Sequence, residues 1–376
     1  MCQGKCCNCQ AANRRKQSSS NMLRSLTSRR LTAASLCFAL VFLSPVSYGD
    51  SNNESGRLNS APRTNLLTTD GEAAEDGDLI QRWYKYDGNP VLRASELGTV
   101  FDVSVLQENG KFVMYFSWRP KQSIGRVEST DGIFWSAPVI VLGPNKKTGW
   151  EERVNRPVVL KRAETYYMWY TGQTKERSSI GYAISQDGIT WKRASPKPVL
   201  VSDSTWEKVA VVAPHVIWDE GAGIFRMWYS GGEQYEPDAI GYATSTDGQT
   251  WAKLPSNPIF RSTPTNQWEQ AKVTAAQVLQ HANWYYMFYI GFGDEDHAQI
   301  GLARSKNGIT EWQRHPQNPI IRRGGQGQWD SDSCYKPFAI FVDSQRWFLW
   351  YNGRKETTEQ IGLAILEGEN LFAPAF

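Results

Sequence analysis

The sequence predicts an all-β protein: a five-bladed β-propeller of four-stranded antiparallel blades, its ring closed by the N-terminal strand. Three observations carry this expectation. An Ile-Gly-x-(Val/Ala) stretch recurs with its glycine at 125, 181, 241, 301 and 362, so five units follow one another at a period of 56 to 61 residues. Aromatic residues make up 12% of the chain, with 16 Trp, 16 Tyr and 15 Phe, enough to fill the core of a β architecture. The two ends also complement each other. The last unit stops after Ile361-Gly362-Leu363-Ala364 without a Trp-led fourth strand, while Trp83-Tyr84-Lys85-Tyr86 stands unpartnered before Asn89-Pro90.

In chain order, residues 1–49 read as a targeting segment. Arg29-Arg30 precede the apolar run Leu31 to Val46, and Ser47-Tyr48-Gly49 offers small residues for cleavage before Asp50. The run falls short of the roughly 20 residues of a membrane span, so cleavage is favoured over a retained anchor and no stable membrane insertion is expected. Met22 is an alternative start that would remove the cluster Cys2, Cys6, Cys7 and Cys9. Export to the periplasm or outside follows. Cys334 is then the one cysteine of the mature chain, which excludes an intrachain disulfide. Residues 50–81, poor in large apolar side chains, read as a disordered linker.

Residues 82–371 are the propeller, with a short tail over 372–376. The second unit shows the plan: Trp150-Glu151, Arg156-Pro157-Val158-Val159-Leu160, Tyr166 to Gly172, Ile180-Gly181-Tyr182-Ala183, Asp187-Gly188 and Trp191-Lys192-Arg193. Each run is strand length, β-branched or aromatic, and bounded by turn residues. Such units bury both faces only by stacking. Features present in every copy read as structure. The acids after Trp (Glu151, Glu207, Glu269, Asp330) and the Ser-x-Asp-Gly turns are of this kind. With 41 basic and 38 acidic residues, and much of the excess in the leader, the body is near neutral and nucleic acid is not the expected partner.

Function is expected where one copy departs from the others on the innermost strand, which lines the central channel. Aligning the units on the residue before the Pro, or its equivalent, gives Asp102, Arg156, Ala213, Ala275 and Lys336. Nearby polar residues are Arg153, Asn155, His215, Lys272, Gln277, Asp332 and Tyr335. No metal cluster or cofactor is indicated, the four histidines being scattered.

With its Tyr-x-Met-Trp-Tyr-x-Gly runs followed by Ile-Gly-Tyr-Ala, the chain from about Trp83 to Leu371 resembles the five-bladed glycosidase superfamily of arabinanases, β-xylosidases, invertases, levansucrases and mannoside phosphorylases. The resemblance implies a monomer acting on carbohydrate, with paired carboxylates as base or nucleophile and as general acid. Phe101-Asp102-Val103 matches the position of the family's base. Val212-Ala213-Pro214-His215 is similar to the Glu-Gly-Pro-His of the acid, but Val212 stands in place of the Glu. Arg156-Pro157-Val158 also lacks an acid. The second carboxylate is therefore sought at Glu152, Asp332 and Glu207, with Glu233 and Asp294 behind them. Three functions stay open: a glycoside hydrolase, a non-catalytic carbohydrate-binding propeller whose Arg153, Arg156, Lys272 and Lys336 attract an anionic group, and a phosphorylase using those cations for phosphate.

Overall fold

The computed structural model describes residues 83–372, whose regular structure is mainly antiparallel strand. The leader and linker expected over 1–49 and 50–81 lie outside the described residues, as does the chain beyond Phe372. Strand β1 (Tyr84–Lys85) comes first. A first set follows: β2 (Val100–Glu108), β3 (Lys111–Trp118), β4 (Ser123–Ser129) and β5 (Val139–Leu142). The second is β6 (Arg153–Arg162), β7 (Thr165–Gln173), β8 (Ser178–Ser185) and β9 (Lys192–Arg193). The third is β10 (Ala210–Asp219), β11 (Ile224–Gly232), β12 (Ala239–Ser245) and β13 (Ala252–Lys253), with β14 (Phe260–Arg261) also on β12. The fourth is β15 (Lys272–His281), β16 (Trp284–Phe292), β17 (Ala298–Ser305) and β18 (Gln313–Arg314). The last three strands, β19 (Ser333–Val342), β20 (Arg346–Lys355) and β21 (Thr358–Glu367), take their fourth member from the other end of the chain, Tyr84 lying against Ile365 and Lys85 against Ala364. A parallel bridge from Ala210 to Ser178 joins the second and third sets into one nine-stranded sheet.

The first strands of the sets touch in series, β2 with β6, β6 with β10, β10 with β15, β15 with β19, and β19 with β2. Neighbouring sets are also linked through turns. In Ser185-Gln186-Asp187-Gly188 the Ser185 hydroxyl accepts the N–H groups of Asp187 and Gly188, and Asp187 accepts those of Ile189 and Thr190. These bonds hold the Asp187 carboxyl well below its ordinary range. Gly188 sits at φ 70°, which a glycine reaches without strain. Its carbonyl accepts the hydroxyl of Tyr115 from the preceding set at 2.8 Å. The indole N–H groups of Trp169, Trp228 and Trp350 reach the carbonyls of Gly248, Gly308 and Gly132 in the same way. The fourth set carries Phe288 at this position, which has no donor, and the fifth has no such turn to receive one.

The acids that follow Trp behave alike. Glu151, Glu207, Glu269 and Asp330 are buried and accept the hydroxyls of Tyr170, Tyr229, Tyr289 and Tyr351. Each is also paired with a cation from the outer strand, Arg193, Lys253, Arg314 and Lys85 respectively. The first set has Phe116 in place of the tyrosine and no acid.

Asparagines before proline close the outer edges. Asn257 accepts the N–H of Tyr242 and donates to its carbonyl, and Asn89 and Asn318 do the same to Leu363 and Leu302. Asn257→Ala strands both backbone groups and the Tyr229 hydroxyl contact, so a loss of about 2 kcal/mol is expected in urea denaturation. An unchanged midpoint would show that water replaces these bonds.

Candidate functional site

All five innermost strands break register at the same place: between Phe101 and Ser104, Asn155 and Val158, Val212 and His215, Thr274 and Gln277, and Tyr335 and Phe338. At each break one residue is left-handed: Asp102 (φ 55°), Arg156 (50°), Ala213 (50°), Ala275 (46°) and Lys336 (55°). These are the five positions aligned from the sequence. A bulge re-aims its side chain and frees its N–H from the ladder. Four of these N–H groups go to a side chain of the preceding set: Asp102 to Asn352 Oδ1, Arg156 to Ser117 Oγ, Ala213 to Thr171 Oγ1 and Ala275 to Ser230 Oγ. The corresponding position before Lys336 is Ile290, which offers no oxygen.

The Ser117 hydroxyl does two things at once, donating to Asp102 Oδ2 at 2.8 Å while accepting the Arg156 N–H at 2.8 Å. Asp102 is only 4% exposed, and its Oδ1 has no hydrogen-bond partner. Lys336 Nζ lies 3.8 Å from it and is itself unpartnered. Burial and the neighbouring Arg156 guanidinium push the Lys336 amine below its ordinary value. Arg156 donates through Nη2 to the carbonyl of Tyr235 at 2.8 Å, while its buried Nε is unpaired.

Above this floor lies a cavity of about 410 Å3, lined by Trp118, Arg119, Arg153, Tyr235, Glu236 and Glu359 among others and sharing Arg156 and Lys336 with a narrower one that Asp102 lines. Glu359, at the start of β21, accepts the Tyr335 hydroxyl and two bonds from Arg119 Nη2 at 3.0 and 3.1 Å. Burial pushes its carboxyl up, the Arg119 guanidinium pulls it down, and the nearby Asp102 and Glu236 push it up again; the balance is a raised value. Glu236, in the loop between β11 and β12, has a buried Oε2 without a partner.

Of the residues singled out from the sequence, Arg153, Asn155, Arg156, Tyr335 and Lys336 line the cavity, and Asp102, His215 and Gln277 the narrower space beneath it. Asn155 is held by Gln173, and Gln277 clamps the backbone of Ala339 from both sides. Four others are placed elsewhere. Glu152 is exposed, and Glu207 is the buried partner of Tyr229 and Lys253. Asp332 accepts the N–H of Glu356 beside a separate surface cavity, and Lys272 pairs with Glu295 over the Phe292 ring. None of the four lines the cavity at Asp102. Glu236 and Glu359 were missed by sequence reasoning. Glu359 did carry a signal: two residues before the Ile of Ile-Gly, the other copies have Gln122, Ser178, Asp238 and Ala298.

Among the described residues no group of three or more His, Cys, Asp or Glu stands where it could hold a metal ion, and no helix is long and apolar enough to cross a membrane. His215 is fully buried with Nε2 2.7 Å from the Val278 carbonyl, and burial lowers its value to about 4; partial burial does the same to His315. Unfolded histidines take up protons near pH 6.5 whereas these stay neutral to about pH 4. Their contribution is therefore complete above about pH 6.5 and is lost as the pH falls toward 4, on the order of 3 kcal/mol for His215. The melting temperature should drop across that window, and less steeply in His215→Gln. A flat profile from pH 7 to 4 would contradict the burial.

The sequence profile of the glycosyl hydrolases family 32 N-terminal domain matches residues 102–274. An uncharacterized protein of Mycobacterium tuberculosis is 29% identical over 279 residues, covering 69% of this chain and 89% of that protein. A 1,2-β-oligomannan phosphorylase of Thermoanaerobacter sp. is 35% identical over 138 residues, 34% of this chain and 44% of the phosphorylase. Among solved structures, one from the GH130 family of mannoside phosphorylases, which contains glycoside hydrolases that target β-1,2 mannosidic linkages in Candida mannan, aligns with TM-score 0.60 and 16% identity over 80% of this chain and 99% of its own. An exo-1,5-α-L-arabinanase from a bovine ruminal metagenomic library aligns with TM-score 0.55 and 18% identity over 72% and 93%. These likenesses show the fold, that of propeller glycosidases, and the resemblance stated from the sequence holds.

Proposed function

We propose, for a chain that carries the fold of the propeller glycosidases, that it cleaves glycosidic bonds of oligo- or polysaccharides, most directly as a glycoside hydrolase. One observation carries the reading: two carboxylates in unlike settings line adjoining cavities that share Arg156 and Lys336, close enough for each to feel the other's charge. Glu359 is buried and its carboxyl is pushed up by that burial, the direction a general acid needs. Asp102, lining the narrower cavity, has a buried oxygen without a hydrogen-bond partner and Lys336 Nζ 3.8 Å away, a disposition that suits a base or nucleophile. Glu236 is a further carboxylate in the cavity that Glu359 lines. Trp118 and Tyr235 supply aromatic surface at the wall for a sugar ring.

A phosphorylase is the second reading, favoured by Arg153, Arg156 and Lys336 around the site and by the oligomannan phosphorylase likeness. Incubating the full chain with plant, fungal, algal and bacterial glycans, with and without inorganic phosphate, separates the possibilities. Reducing sugar released without phosphate is the expected result. Sugar 1-phosphate formed only with phosphate would replace hydrolysis by phosphorolysis, and glycan binding without any cleavage would leave a binding protein.

The same reading treats the five sets as five blades of a ring that the N-terminal strand completes, supported by the β1–β21 pairing and by Asn89 bonding Leu363 as Asn257 and Asn318 bond their own partners. It also takes the protein to act as a monomer after export and cleavage near Gly49, which N-terminal sequencing of the secreted product tests.

A further inference from the structure

The floor of the cavity is short of an anion. Lys336 is 6% exposed and Arg156 is 8% exposed, and Lys336 Nζ and Arg156 Nε have no hydrogen-bond partner. Arg156 Nη2 has the Tyr235 carbonyl, but two cationic groups buried side by side with these N–H donors unsatisfied are unfavourable unless something of opposite charge joins them. Asp102 Oδ1, at 3.8 Å, is too far to hydrogen-bond Lys336 Nζ. Arg153, on the wall of the same cavity, has no ion-pair or hydrogen-bond partner for its guanidinium among the described residues.

We propose that this floor is a subsite for the carboxylate of an acidic sugar, so that the substrate is a uronate-bearing glycan held by Arg153, Arg156 and Lys336. The inference rests on the glycan reading above and adds the class of sugar. Charge decides between a sugar carboxylate and free phosphate. Four cations (Arg119, Arg153, Arg156, Lys336) face three carboxylates (Asp102, Glu236, Glu359), leaving one positive charge in surplus. Were Lys336 neutral and Glu359 protonated, the directions in which burial moves them, the surplus would again be one. A uronate carries one negative charge and balances the site. A phosphate, approaching two, overshoots and lies against three carboxylates. Geometry agrees, because guanidinium and carboxylate meet through two parallel bonds and the sugar's hydroxyls remain for Asp102 Oδ1 and Glu236 Oε2, the unpartnered acceptors.

The test measures binding of the full chain, by calorimetry, to matched oligosaccharides that differ only in a terminal carboxylate: glucuronate against glucose, galacturonate against galactose, mannuronate against mannose. At least one acidic member should bind about tenfold or more tighter than its neutral twin, with affinity falling as salt rises. Arg153→Gln and Lys336→Met should each reduce that acid-to-neutral ratio about tenfold, with circular dichroism and melting confirming the fold. Arg153 is at the cavity wall, so its variant stays informative even if Lys336→Met does not fold. Equal binding of every acidic and neutral pair overturns the proposal while leaving glycan cleavage intact. Preference for free phosphate over every uronate also overturns it. Selective uronate binding without cleavage supports the subsite and removes the catalytic reading instead.

Discussion

Asp102→Asn is expected to lower turnover of any cleaved glycan about a thousandfold while leaving glycan affinity within about threefold. The substitution isolates charge. Asparagine tolerates the left-handed backbone that position 102 adopts at φ 55° better than most residues. Its amide oxygen can still accept the Ser117 hydroxyl that Asp102 Oδ2 accepts now. Since the bulge and its Asn352 cap do not involve the side chain, the local fold should persist. What disappears is the negative oxygen without a hydrogen-bond partner, which a base or nucleophile requires. Kinetics on the wild type and the variant, with calorimetric affinities, make the comparison. Turnover within threefold of wild type would remove Asp102 from the chemistry.

Glu207→Ala is expected to do the reverse, destabilising the protein by about 3 to 5 kcal/mol with the rate per folded molecule unchanged. Glu207 is wholly buried, holds the Tyr229 hydroxyl at 2.8 Å and Lys253 Nζ at 2.8 Å, and accepts the backbone N–H groups of Asp203 and Ser204. Truncation leaves the Tyr229 hydroxyl and the N–H groups of Asp203 and Ser204 without their acceptor beside the packed Trp206 ring, while Lys253 keeps Asp203 and the Val201 carbonyl. The melting temperature should fall by roughly 6 to 20 °C, taking about 2 to 4 °C per kcal/mol for a chain of this size. Loss of rate at temperatures where the variant is fully folded would return Glu207 to the list of candidate acids.

The strand sets were legible in the sequence because their cause is local. Aromatic and β-branched runs punctuated by Asp-Gly and Asn-Pro specify strand and turn wherever they occur, and the repetition of Ile-Gly fixes their phase. The alignment of Asp102, Arg156, Ala213, Ala275 and Lys336 was legible because Pro157, Pro214 and Pro337 directly follow the bulged residue in three of the five strands and mark its place. The further carboxylate, Glu236, was not. Glu236 reaches the cavity on a loop whose course over the channel is set by the Arg156 bond to the Tyr235 carbonyl, and a contact across 79 residues leaves no periodic trace. Glu152 broke the repeat and so drew attention, yet its side chain faces solvent. Departure from a repeat thus marks a position as unconstrained by it, and only the geometry says toward which side the freedom is used.

The five bulges have a consequence for how such a protein acquires new chemistry. Four of the five hold their residue by its backbone N–H, bonded to a side chain of a neighbouring strand, so the side chain there contributes little to the fold that presents it. Three of the five sockets are filled, by an acid, a guanidinium and an amine, and two, Ala213 and Ala275, are blank. A carboxylate placed at 213 or 275 would enter the same narrow cavity beside His215 and Gln277 without moving a strand. The set of inner-strand bulges therefore behaves as a keyboard of interchangeable groups on a fixed frame, and a change of reaction needs only a change of letters at sites the frame already holds open.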